Sequence, residues 1–221
     1  MCFDEKTSWV TFIVGTIINV SSIGILLKFN TKKILVPICL ILLWQYALFM
    51  QIADALAWKY PNSSLPPKLA CFLNTTQPLI AFLLVFYIIT KKGVSSLTIY
   101  PAIIALVIYG IFISRDIQNS SLKTIKPWGL CNNLNYDWWS RISFIFYCAA
   151  ILLSVWAIPY KITGIGLLIL TTIIFIGSFI LALFLTGSKC ASGSLWCWIV
   201  ASAGLITFIY TYMNVINSKN L

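Results

Sequence analysis

Histidine is missing from this chain of 221 residues altogether. Its absence removes the commonest general acid–base, the usual zinc ligand and the usual proton shuttle together. Intramembrane metallohydrolase and histidine-dependent redox chemistry are therefore disfavoured, and no cofactor or metal is expected. Charge is scarce as well: 9% of residues are charged, against about 25% in a soluble protein. Acidic residues number 5 against 15 Lys and Arg, giving a net charge of +10. That excess sits in connectors rather than on a basic face with interleaved aromatics, so a nucleic-acid partner is not expected. Basic connectors beside anionic lipid headgroups explain it better. Gly-rich, Pro-rich and low-complexity linkers are lacking, and no internal repeat is evident. The first apolar segment has an acidic rather than basic leading flank and no small-residue cleavage site, so it reads as a retained helix rather than a signal peptide.

What fills the chain instead is apolar sequence: 60% of residues are hydrophobic and the mean hydropathy is +0.95. Seven stretches of roughly 18 residues or more are long enough to cross a bilayer. They run Ser8–Leu27, Ile34–Trp58, Leu69–Thr90, Leu97–Ser114, Ile142–Tyr160, Ile162–Thr186 and Leu195–Ile216. The expected fold class is an all-α membrane protein, a single seven-transmembrane-helix bundle over residues 1–221. The lipid bilayer is its first partner. Which membrane it occupies is not written in the sequence.

Connector chemistry gives an orientation. Lys28, Lys32, Lys33, Lys91, Lys92 and Lys161 crowd short connectors that hold no acid, whereas Asp4, Glu5, Asp116 and Asp137 fall on the opposite side. Basic residues concentrate at cytoplasmic helix ends, so the N-terminus is expected outside and the C-terminus in the cytoplasm. Cys71, Cys131, Cys190 and Cys197 also fall on the outer side, where an oxidising compartment permits disulfides. A Cys71–Cys131 bridge would pin the long fourth-to-fifth connector, and Cys190 with Cys197 would close the last one. Free thiols are the alternative, since spacing does not fix connectivity.

Asp54 is the single carboxylate inside a span. An acid at membrane depth is costly and marks a candidate site. Trp44, Ala47, Gln51, Asp54 and Trp58 recur at spacings of three and four, which places them on one helical face. The next span carries Asn74, Gln77 and Ala81 at the same spacing. Antiparallel neighbours would set Asn74 level with Asp54, and Gln77 level with Gln51 one turn deeper. On a binding reading Asp54 contacts a cation or protonated amine, Gln51, Asn74 and Gln77 supply hydrogen bonds, and Trp44 and Trp58 form walls. On a structural reading the same groups bond one another across the helices, each bond contributing about 0.6 kcal/mol. In the first span Ser8, Thr11, Gly15, Asn19 and Ser22 form a small polar stripe suited to close helix packing. Asn19 is its member best placed to extend the pocket.

Two topological parallels fail on residues. A retinal protein needs a lysine inside the seventh span, and Lys189 precedes it; a G-protein-coupled receptor needs an acidic-Arg pair after Ile88-Ile89-Thr90, where Lys91-Lys92 stands. Met1-Cys2-Phe3-Asp4 and Gln51-Ile52-Ala53-Asp54-Ala55-Leu56-Ala57-Trp58 resemble an uncharacterised family of small polytopic membrane proteins of bacteria and large DNA viruses. That family has Glu, Gly and Ser where Asp54, Ala55 and Asp4 stand here. The resemblance covers about the first quarter of the chain. It implies that Cys2, Gln51, Asp54 and Trp58 belong together, and implies no activity.

Three functions follow as expectations. The first is a membrane protein that binds, or binds and transports, a small polar or cationic solute through an outer-facing pocket at Asp54. The second is a non-catalytic structural or interaction component of a viral or cellular assembly, for which a homo-oligomer is one form. The third, an intramembrane enzyme using Asp54 with Cys2, is weakest without histidine. A cavity reaching Asp54 would favour the first; Asp54 closed within a helix interface would favour the second.

Overall fold

The computed structural model describes residues 4–28, 34–92, 96–118, 122–125, 129–132, 138–158, 165–177, 180 and 202–213. Helix α1 (Glu5–Lys28) starts at Asp4, whose Oδ1 accepts from the Thr7 N–H at 2.7 Å and whose Oδ2 accepts from the Thr7 hydroxyl at 2.9 Å. Lys28 in its last turn suits the negative end of the helix dipole. At 24 residues, it is roughly 36 Å long, enough to cross a hydrocarbon core of about 30 Å.

The second span is two helices, α2 (Leu35–Leu48) and α3 (Met50–Lys59), joined at Phe49. Phe49 keeps a right-handed helical backbone (φ −61°, ψ −19°), so the chain runs on in nearly one direction. Its N–H bonds the Tyr46 carbonyl, three residues back, at 3.1 Å, a locally tightened turn. A five-residue connector leads to α4 (Leu65–Lys92), which carries Pro66 and Pro67 in its first turn, where a missing N–H costs nothing. Then come a short 3₁₀ turn (Ser96–Ile99), α5 (Tyr100–Gln118), an antiparallel hairpin of β1 (Leu122–Ile125) and β2 (Gly129–Asn132), and α6 (Trp138–Trp156). Helix α7 (Ile165–Thr172) continues as a π-helical turn (Ile173–Gly177), and α8 covers residues 202–213.

The α2–α3 span is the spine of the described bundle. In its apolar window 61% of residues are buried, against 28% for α1 and 33% for α4, so α1 and α4 flank it and show their other faces to lipid. Three apolar clusters follow one another down this spine. Val36, Cys39 and Leu40 pack with Val85, Ile88, Ile99, Val155 and Leu168; Leu43, Trp44 and Ala47 with Ala81, Tyr147, Ile151 and Phe175; Met50, Ala53 and Ala57 with Ala70. Helices α5 and α6 pack on each other and on α4. The outward faces of α1 and α4 carry Val10, Ile17, Val20, Phe72, Leu83 and Phe86, which water would not tolerate and lipid does. Three helices long and apolar enough to cross a membrane make this a multi-pass integral membrane protein.

The expected disulfide character is overturned. Cys39, Cys71 and Cys148 are all thiols, so the Cys71–Cys131 bridge does not form. The reason is helical. Helix α4 begins four residues earlier than the apolar run suggested, and this extra turn carries Cys71 down to a position only 4% exposed. Cys131 lies on β2, paired with Lys123, and β2 touches α3. Cys190 and Cys197 lie outside the described residues, as does Cys2.

Candidate functional site

Asp54 and Gln51 sit one turn apart on α3, 0% and 1% exposed. Around them Ala53 and Ala55 are 0% exposed, so the backbone of α3 lies close to its neighbours. Helix α3 packs on both α1 and α4. The α1 register is fixed deeper in the bundle. Leu48 covers Gly15, whose Cβ would stand 2.7 Å from a Leu48 methyl, and the Phe12 and Phe49 rings lie 5.9 Å apart. Continuing that antiparallel register brings the Asp54 turn level with Ser8 and the Gln51 turn level with Thr11. Both α1 residues are buried, Ser8 at 0% and Thr11 at 8%. The small polar stripe of α1 is thus its packing face: Ser8, Thr11, Gly15, Asn19 and Ser22 are all buried. Trp58 is half-buried, packed on the Ala53–Ala57–Ala70 cluster.

One turn deeper than Leu48 a second polar group forms. Asn19 Nδ2 donates to Gln45 Oε1 at 3.0 Å, and Gln45 Nε2 donates to Thr16 Oγ1 at 2.9 Å. Gln45 therefore joins α2 to two residues of α1, three apart. Asn19 Oδ1 nests against Gly204 of α8, where a Cβ would stand 1.9 Å from it. Trp44 is 3% exposed and its Nε1 donates to Thr207 Oγ1 at 3.2 Å, tying α2 to α8. Trp44 is thus a hydrogen-bonded residue of the packed interior.

The third group belongs to α4. Gln77, 3% exposed, accepts at Oε1 from the Tyr147 hydroxyl of α6. Tyr147 meets Tyr109 edge-on at 5.8 Å, and the Tyr109 hydroxyl donates to the Thr75 carbonyl at 3.1 Å. Pro78 lies inside α4 and offers no N–H to the carbonyl four residues back, that of Asn74, one residue before the carbonyl Tyr109 reaches. A cavity of about 10 Å³ is lined by Leu43, Trp44, Ala47, Gln77, Ile151 and Phe175.

The site residues therefore separate. Asp54 and Gln51 remain together. Gln77 lies level with Leu43, Trp44 and Ala47, seven to eleven residues before Asp54, or roughly 10–16 Å along the helix. The early start of α4 is again the cause, because it moves the α4 register relative to α3. Asn74 is exposed and stands outside the buried set. Gln45, Thr16, Thr207, Tyr109 and Tyr147 carry hydrogen bonds that the sequence reading missed. For Gln45 and Thr16 a signal existed, since Thr16 and Asn19 are three apart and face the same span. Among the described residues no group of three or more His, Cys, Asp or Glu is placed to hold a metal ion.

No family model, curated protein or solved structure matches the chain.

Proposed function

We propose that this is a non-catalytic membrane protein of structural or interaction type, whose buried polar seam locks the helices in register. The complete burial of Asp54, at 0% exposure beside Gln51 at 1%, carries this reading. A carboxylate used to receive a solute needs a route to water, whereas one used to fix helix register needs enclosure. Small residues on both sides of the seam, Ala53 and Ala55 on α3 and Ser8 and Gly15 on α1, favour close packing of backbones in place of a solute volume. We further read the chain as a seven-helix bundle with its N-terminus outside. Each of the seven expected spans contains a described helix, which supports that reading. The kinship through Gln51, Asp54 and Trp58 is part of the same proposal.

A solute-binding protein in a closed state is the second reading. It is favoured by Asn19 Oδ1 and Gln77 Nε2, buried polar atoms without a hydrogen-bond partner among the described residues. Thermal unfolding of the full chain in detergent separates the two, with Na⁺, K⁺, Ca²⁺ and methylammonium as probes. The structural reading expects no shift with any probe and a lower unfolding temperature for Asp54→Asn. A saturable rise in the wild type that vanishes in Asp54→Asn would establish the solute reading instead.

A further inference from the structure

Gln77 makes one use of its amide and leaves the other. Its Oε1 accepts from Tyr147, while its Nε2 has no partner among the described residues, at 3% exposure. The same side chain lines the cavity of about 10 Å³ between α2, α4, α6 and the π-turn after α7. Turning the amide over would exchange a donor for an acceptor without satisfying both ends. A volume of that size is about what one water needs. The other lining side chains are Leu43, Ala47, Ile151, Phe175 and the Trp44 ring, whose N–H is taken by Thr207.

We infer that this cavity is a binding site for one neutral, water-sized hydrogen-bond acceptor, a buried water held by Gln77 Nε2. The chemistry of the lining selects that class. An amide N–H repels a cation, and the acceptor that the lining side chains offer, Gln77 Oε1, already takes the Tyr147 hydroxyl. A single amide cannot compensate the desolvation of an anion among aliphatic and aromatic walls. A water takes the donor and offers two hydrogens. The site is independent of Asp54: it holds whether the seam there is structural or binds a solute.

Selective ¹⁵N-glutamine labelling of the full chain in nanodiscs tests it, because the sequence has only Gln45, Gln51, Gln77 and Gln118. The Gln77 side-chain amide, assigned by its loss in Gln77→Leu, should show a cross-peak to water with the sign of a long-lived bound molecule. It should survive in Tyr147→Phe, which removes proton exchange relayed through the tyrosine hydroxyl. It should be lost in Ala47→Val, which fills the cavity, while the Gln45 and Gln51 signals persist. No water cross-peak in the wild type overturns the inference whatever the variants do. A cross-peak lost in Tyr147→Phe overturns it too, as does xenon entering the cavity with no water signal at Gln77.

Discussion

Two residues, one capping α1 and one within it, show how much a single contact fixes here. Asp4 caps the helix with both carboxylate oxygens on Thr7. The Thr7 backbone N–H first, and its hydroxyl second, hold the Asp4 carboxyl below its ordinary 3.8. A depressed folded-state value means the cap's contribution is fully present above the unfolded aspartate range near 3.9 and fades as pH falls through the folded value. Asp4→Ala should cost about 1 kcal/mol, read by denaturant unfolding in micelles, and should flatten the loss of stability below pH 4. Fifteen residues on, Asn19 is clamped between Gln45 and the bare Cα of Gly204. Gly204→Ala would drive a methyl into Asn19 Oδ1, which cannot swing away without breaking its bond to Gln45. A loss of about 1–3 kcal/mol is expected, partly recovered by adding Asn19→Ala, a non-additivity that a double-mutant cycle measures.

Helix α4 is the element whose details depart furthest from its sequence pattern. Pro78 interrupts its ladder at the Asn74 carbonyl, and Tyr109 from α5 adds a bond from another helix at the Thr75 carbonyl. Tyr109→Phe should cost about 0.5–1.5 kcal/mol, as thermal unfolding of the variant beside the native chain would show. The face of α3 that holds Gln51 and Asp54, and the α1 stripe from Ser8 to Ser22, were legible because three- and four-residue spacings survive folding unchanged. The partners across helices were not. Register between α3 and α4 depends on where α4 begins, and the apolar run hid a start at Leu65 behind Pro66 and Pro67. That one-turn error misplaced Gln77 beside Gln51, brought Asn74 into the seam and left Cys71 at the rim, ready for a disulfide it does not make. Tyr147 and Thr207 were invisible for another reason: they come from distant spans, and no local spacing announces which residue meets which across 70 or 163 positions.

At the scale of the whole molecule, the second span organises everything described around it. Three apolar clusters and two hydrogen-bonded polar groups line its length, with α1, α4 and α8 each bonded to it. Asp54 sits near one end of that spine, fully enclosed. A seam that sets register is shared by both helices, so substitutions on the two sides should be coupled. Asp54→Asn, which keeps hydrogen bonding, should destabilise less than Asp54→Leu, which leaves neighbouring polar groups unmatched. The most direct measurement is the unfolding temperature of wild type and Asp54→Asn against the cation and amine series. A ligand at about 100 times its dissociation constant would add roughly 2.7 kcal/mol. Enclosure as a structural seam requires that no probe moves the wild type while Asp54→Asn unfolds at a lower temperature. A rise of that size in the wild type, absent from Asp54→Asn, would mean that Asp54 is a ligand site and the structural reading is wrong.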